Sequence, residues 1–239
     1  MALEAKLDNF FGPLAEVVSR FKFGTWRTSA EICEERVVDE KLRDICFWTA
    51  NFGMYTVENG GVFLYFGGRE ANPVFNNIVE AIRQLKVNGV YKPSAGEIGL
   101  VKESVKSGHT VKVGLSDLGL VVYNGELSHF SIDVVNWRSM NSVQRLVAEM
   151  VYGSMKERKD LKTKRKTSVF AEYMAELRKA GMNSVNVYVL SQNYVKSHAP
   201  QDGAVARACW LYNFIYDSFF SAVGWGVDYQ KYALRGVLK

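Results

Sequence analysis

Asn59-Gly60-Gly61 stands between Met54-Tyr55-Thr56-Val57-Glu58 and Val62-Phe63-Leu64-Tyr65-Phe66, two runs rich in β-branched and aromatic residues. Asn-Gly accepts the positive φ of a tight turn, so this stretch specifies a β-hairpin and commits part of the chain to antiparallel sheet. A second strand-rich region covers 110–135. Val111 and Val113 alternate around Lys112, and the runs 120–123 and 127–135 surround Asn124-Gly125. Phe130, Ile132 and Val134 alternate with Ser131 and Asp133, which predicts one buried face.

Elsewhere the period is helical. Leu3, Leu7, Phe10, Phe11, Leu14, Val17, Val18 and Phe21 recur at threes and fours, an arm followed by a helix with Pro13 in its first turn. Residues 29–48 repeat the pattern behind Ser29 as N-cap. Further helices are expected after Asn76 or Asn77, over 96–106, from Asn141 with Gln144 as its capping-box partner, and from Ser168 to Gly181. Residues 185–190 fit a strand or a helical turn, and 202–223 reads as a buried helix. The expectation is a helix-dominated α+β fold of two lobes, with β-hairpins near 54–66 and 110–135 and a mainly helical C-terminal half. It divides into an N-terminal arm and first helix (1–24), an N-terminal lobe with the hairpins (25–138), a helical C-terminal lobe (139–228) and a tail (229–239).

Charge is concentrated in one place. Residues 156–166 hold seven basic residues, Lys156, Arg158, Lys159, Lys162, Lys164, Arg165 and Lys166, against two acids. That excess of five equals the net charge of the whole chain, so the remainder is balanced. Such a run is either a solvated face or the contact for an anionic partner. Arg69, Lys92 and Arg178 add to the basic candidates. Arg207 lies in the most apolar segment, where a guanidinium pairs with a carboxylate (Asp202 and Asp217 are candidates) or lines an anion-binding groove. Tyr91, Trp137, Tyr188 and Tyr194 are candidate stacking faces.

Chemistry-bearing motifs are sparse. Phosphate-loop, nucleophile-elbow and zinc-protease patterns are absent from the sequence. Cys33, Cys46 and Cys209 are too widely spaced for a zinc site or disulfide framework, so neither a metal nor a cofactor is expected. His129 and Asp133 share a strand face and form the one candidate acid–base pair, though exposed polar residues explain them more simply. No stretch reaches the ~20 apolar residues of a membrane span, and the acidic N-terminus does not read as a secretory signal. Cytosolic residence is expected.

The strand–hairpin–strand–helix order over 54–85, with Asn72-Pro73-Val74 ahead of the helix and Val223-Gly224-Trp225 before a short tail, resembles the nucleocapsid proteins of orthobunyaviruses. Ala204-Val205-Ala206-Arg207 with Asp217 is similar to flexuous plant-virus coat proteins. The resemblance implies a viral RNA-binding protein of host cytoplasm and virion, in which two lobes clamp single-stranded RNA by backbone charge. It implies homo-oligomerisation through arms anchored by Phe10, Phe11, Leu234, Val237 and Leu238, with a viral polymerase as a further partner. The RNA track would be 156–166 as one bank of a groove with Arg69, Lys92 or Arg207 on the other. The alternatives are an enzymatic or small-molecule-binding domain using His129 and Asp133, and a matrix-like protein that meets anionic lipid.

Overall fold

In the computed structural model, residues 8–21, 25–159, 166–199, 203–211, 220–221 and 232–236 are described. The first described elements are β1 (Asp8–Phe11) and α1 (Leu14–Arg20). Next comes α2 (Ser29–Val38), which is capped by Thr28 and not Ser29: Thr28 Oγ1 accepts from Glu31 N–H while Glu31 accepts from Thr28 N–H. Ser29 instead donates its N–H (2.7 Å) and hydroxyl (3.0 Å) to Asn51 Oδ1, pinning the helix start to the sheet.

The helical pattern expected to run to 48 stops at Val38, because Cys46 begins the long strand β2 (Cys46–Glu58). The Asn59-Gly60 turn, with both residues at positive φ, joins β2 to β3 (Gly61–Gly67). Then follow α3 (Pro73–Asn76), capped by Asn72, α4 (Ile78–Asn88), closed by left-handed Gly89, and α5 (Ala95–Lys106), with a Ser94/Glu97 capping box. The middle of the chain gives β4 (Thr110–Gly114), β5 (Val121–Val122) and β6 (Leu127–Asp133), then α6 (Ser142–Tyr152) behind its Asn141/Gln144 capping box. The remaining elements are β7 (Arg158–Lys159), β8 (Lys166–Thr167), α7 (Val169–Lys179), β9 (Ser184–Leu190), α8 (Gln192–His198), β10 (Ala204–Leu211), β11 (Phe220–Ser221) and β12 (Tyr232–Gly236).

The helix-dominated, two-lobed expectation is corrected here. Among the described residues ten strands join one sheet in the order β1-β12-β2-β10-β11-β9-β6-β5, with β3 and β4 branching from β2. That sheet draws strands from each of the four expected segments. The expected helix at 202–223 is, over 204–211, strand β10, and all eight of its residues are buried. Odd positions Val205, Cys209 and Leu211 enter a core with α2, α6 and α7, while even positions Ala204, Ala206, Ala208 and Trp210 enter a second core with α1, α3 and α4. A strand covered on both faces is apolar at nearly every position, which erases the alternation that would distinguish it from a buried helix. Residues 185–190 are likewise strand, inside β9.

Strand β2 anchors both cores: Phe47 and Tyr55 face one, Trp48, Ala50, Phe52 and Met54 the other. Its pairing with β10 slips at Ala208/Cys209, leaving Ala50 and Asn51 as a bulge. The freed backbone is used: Ala50 N–H donates to Arg27 O (2.9 Å) and Asn72 Nδ2 donates to Ala50 O (2.9 Å). Among the described residues no helix is long and apolar enough to cross a membrane.

Candidate recognition face and basic cleft

Strands β6 and β9 pair antiparallel, with His129 opposite Tyr188, Ser131 opposite Asn186 and Asp133 opposite Ser184. Side chains alternate across a strand, so these six share one face while Phe130, Ile132, Val185 and Val187 fill the core behind them. The outer six are exposed or half-buried and the inner four are buried. Tyr123 joins the outer face from the β5–β6 turn, which Asn124 builds by accepting from the N–H groups of Glu126 (2.9 Å) and Leu127 (2.8 Å). The Tyr123 ring, 61% exposed, meets Tyr188 edge-on at 5.3 Å, and His129 lies 5.1 Å from Tyr188. Further along, Ser131 donates to Asn186 Oδ1 (2.6 Å). Exposed Val121 and Val122 border the face on β5, the last strand of the sheet order.

Titration on this face is quiet. Partial burial pushes the His129 imidazolium down from its ordinary value, so the ring is neutral at pH 7. Its Nδ1 is buried without a hydrogen-bond partner among the described residues. The Asp133 carboxylate is held below its usual range by the N–H groups of Asn136 and Val135, which close the following turn. Four residues apart on one strand, His129 and Asp133 stand about 13 Å from each other. They do not form an acid–base pair.

The described ends of the basic stretch, β7 and β8, pair as a two-stranded ribbon separate from the main sheet. Lys156, Arg158, Lys159 and Lys166 are exposed; Lys162, Lys164 and Arg165 lie outside the described residues. Arg158 bridges Glu34 of α2 (2.5 Å) and Glu172 of α7 (3.5 Å), which raises its affinity for its proton and ties the ribbon to the body. The expected opposite bank is not assembled. Arg69 donates to Trp26 O (3.0 Å) and pairs with Glu31. Arg207 is fully buried and pairs with Glu126, with Tyr194 Oη at 3.2 Å; Asp202 and Asp217, the expected partners, lie outside the described residues. Lys92 is exposed between α4 and α5, and Arg178 sits in the last turn of α7, at the opposite end of that helix from Ser168, which follows β8. What the structure does bring to Lys166 is Trp137, Arg138 and Arg145.

Of the expected arm anchors, Phe10 and Phe11 pair with Leu234 and Ala233 through β1 and β12 of the same chain. Val237 and Leu238 lie outside the described residues. On the outer face the alternation around Phe130 and Ile132 marks Ser131 in the sequence, whereas Tyr123 and Asn186 are brought there only by the β5–β6 turn and the β6–β9 register. Arg138 and Arg145 had no such signal, because only the α6–α7 packing brings them to the ribbon.

No family model matches the chain, and no curated protein matches it. A solved structure does, over all of both chains, at a TM-score of 0.64 and 12% identity; it is described as "Accommodation of massive sequence variation in Nanoarchaeota by the C-type lectin fold". At that identity the likeness concerns the fold: a mixed α+β, C-type lectin-like architecture. It overturns the resemblance to viral nucleocapsid and coat proteins, which rested on short hairpin and turn motifs common to many folds.

Proposed function

We propose that this protein is a non-catalytic recognition module that binds a protein partner with the outer face of β6 and β9. The observation that carries this reading is the face itself: Tyr123, His129, Tyr188, Ser131, Asn186, Asp133 and Ser184, on strands whose inner side chains are core. Tyrosine supplies large contact area at low entropic cost, and serine and asparagine supply adaptable hydrogen bonding, the composition of antibody paratopes. The His129 imidazole, its pKa lowered by partial burial, lies beside two tyrosines and adds polar contact area without a charge to desolvate on binding.

The fold supports the same reading. The structurally similar Nanoarchaeota protein is described as accommodating massive sequence variation by its C-type lectin fold. In the present chain the outward residues of β6 and β9 stand on the opposite face from the core, so their replacement leaves core packing untouched, which is the physical condition for such tolerance.

The test is a protein microarray probed with three forms: wild type, the face variant Tyr123→Ser/His129→Ser/Tyr188→Ser, and the ribbon variant Lys156→Ala/Lys159→Ala. At least one protein target is expected to bind wild type and the ribbon variant and to lose the face variant by tenfold or more. Targets bound equally by the face variant, or none bound by wild type, would overturn the proposal.

A further inference from the structure

The ribbon poses a separate problem. Lys159 stands directly opposite Lys166 in the β7–β8 register, and both are exposed. Like charges facing each other across a strand pair destabilise it. The same edge opens into a cleft of about 320 Å³ whose lining includes Trp137, Arg138, Arg145, Lys166 and Ser168, with Glu157 as its one acid. Three cations against one carboxylate leave the cleft with an excess of two positive charges.

The two arginines are positioned by the fold. Arg145 Nε donates to Met140 O (3.2 Å) and its Nη2 donates to Arg138 O, so the guanidinium is fixed by backbone carbonyls and its charge meets no carboxylate among the described residues. Arg138 lies over the Trp137 indole at 4.4 Å, and the Phe170 ring lies 5.1 Å from the same indole. A flat, cationic platform therefore borders the cluster of charge. Ser168 caps α7, an eleven-residue helix whose positive end adds to the same potential.

We propose that this cleft binds a nucleotide, with a phosphate between Arg145 and Lys166 and the base stacked on the Trp137–Arg138 platform. Guanidinium and ammonium groups match phosphate oxygens, and bases stack on aromatic and guanidinium planes irrespective of sequence. The chemistry is common to free nucleotides and single-stranded nucleic acid, and exposed Lys159, paired across the ribbon with Lys166 of the cleft lining, adds a cation for a second phosphate and favours the strand. This site is distinct from the β6–β9 face, so either proposal stands without the other.

Fluorescence anisotropy and calorimetry with the whole chain at 50 mM salt test it, using AMP, a ten-nucleotide uridine oligomer, inorganic phosphate and phosphatidylserine vesicles. The oligomer is expected to bind at least tenfold more tightly than AMP, and AMP more tightly than phosphate. AMP binding equal to the oligomer would assign the site to free nucleotides and still support it. Arg138→Ala/Lys166→Glu should weaken oligomer binding at least tenfold, Trp137→Ala should erase the preference for AMP over phosphate, and Lys92→Glu should change neither. Unchanged melting temperatures establish that the variants fold; if Trp137→Ala does not, Trp137→Leu replaces it. The inference is overturned if none of the nucleotides binds, if phosphate binds as well as AMP, if vesicles alone bind, or if the variants bind like wild type.

Discussion

Glu126→Ala removes the carboxylate that pairs with Arg207, a side chain with no exposed surface. What remains is the Tyr194 hydroxyl at 3.2 Å, while Nε and Nη1 of Arg207 have no hydrogen-bond partner among the described residues. Breaking a buried pair from one side leaves an uncompensated charge, at a cost of about 3–5 kcal/mol. For a domain of this size each kcal/mol lowers the melting temperature by about 2–4 °C, so the variant should melt roughly 6–20 °C below wild type. Replacing both partners, Glu126→Leu with Arg207→Met, removes charge and counter-charge together and should stay within about 2 kcal/mol of wild type. Urea unfolding followed by tryptophan fluorescence supplies the four corners of a double-mutant cycle. The reasoning is refuted if Glu126→Ala costs less than about 1 kcal/mol, or if the double replacement costs as much as the single one.

Three further outcomes follow from local geometry. Burial opposes ionisation of Glu58, but hydrogen bonds from Lys112 (2.6 Å), Tyr65 (2.9 Å) and Thr56 (3.0 Å) outweigh it and hold the carboxyl down at about 2. The folded value lies below the unfolded one near 4.5, so this stabilisation is present above pH 4.5 and is lost as pH falls from there towards 2. Glu58→Gln should flatten that part of the stability–pH curve measured by urea melts, and an unchanged slope would contradict the assignment. A Cβ on Gly67 would fall 2.4 Å from Thr110 Oγ1 and 2.7 Å from the Phe52 ring, so Gly67→Ala should cost about 1–3 kcal/mol in the same assay, against no measurable change if the sheet yields freely there. Burial pushes the Cys33 thiol up to about 12 and raises Cys209 as well, so a thiol reagent on native protein should label at most one cysteine quickly, Cys46, and all three once urea is added.

The parts of this fold legible in the sequence are those fixed locally. The Asn59-Gly60 turn, the Asn141/Gln144 capping box and the Ser168 cap each depend on residues within four positions of one another, and each forms where the local chemistry places it. Strand β10 was illegible for the opposite reason. Its partners, β2 and β11, come from elsewhere in the chain, and burial on both faces removes the period of two. The partner of Arg207 is a carboxylate 81 positions away, beyond any local search. The outer face was half legible: alternation in β6 was visible, but its continuation through Tyr188 and Asn186 needs the β6–β9 register.

The central claim is that the outer face of β6 and β9 serves recognition and is free of folding duty. A display library randomised at Tyr123, His129, Ser131, Asn186 and Tyr188, read by protease resistance, tests it against a matched library randomised at Phe130, Ile132, Val185 and Val187. Losing the outer contacts costs about 0.5–1.5 kcal/mol for an aromatic pair and about 1 kcal/mol for the Ser131–Asn186 hydrogen bond. Losing a single inner aromatic costs about 3–5 kcal/mol. Most outer-face members should therefore remain resistant while few inner-face members do; equal collapse of both libraries would contradict the account.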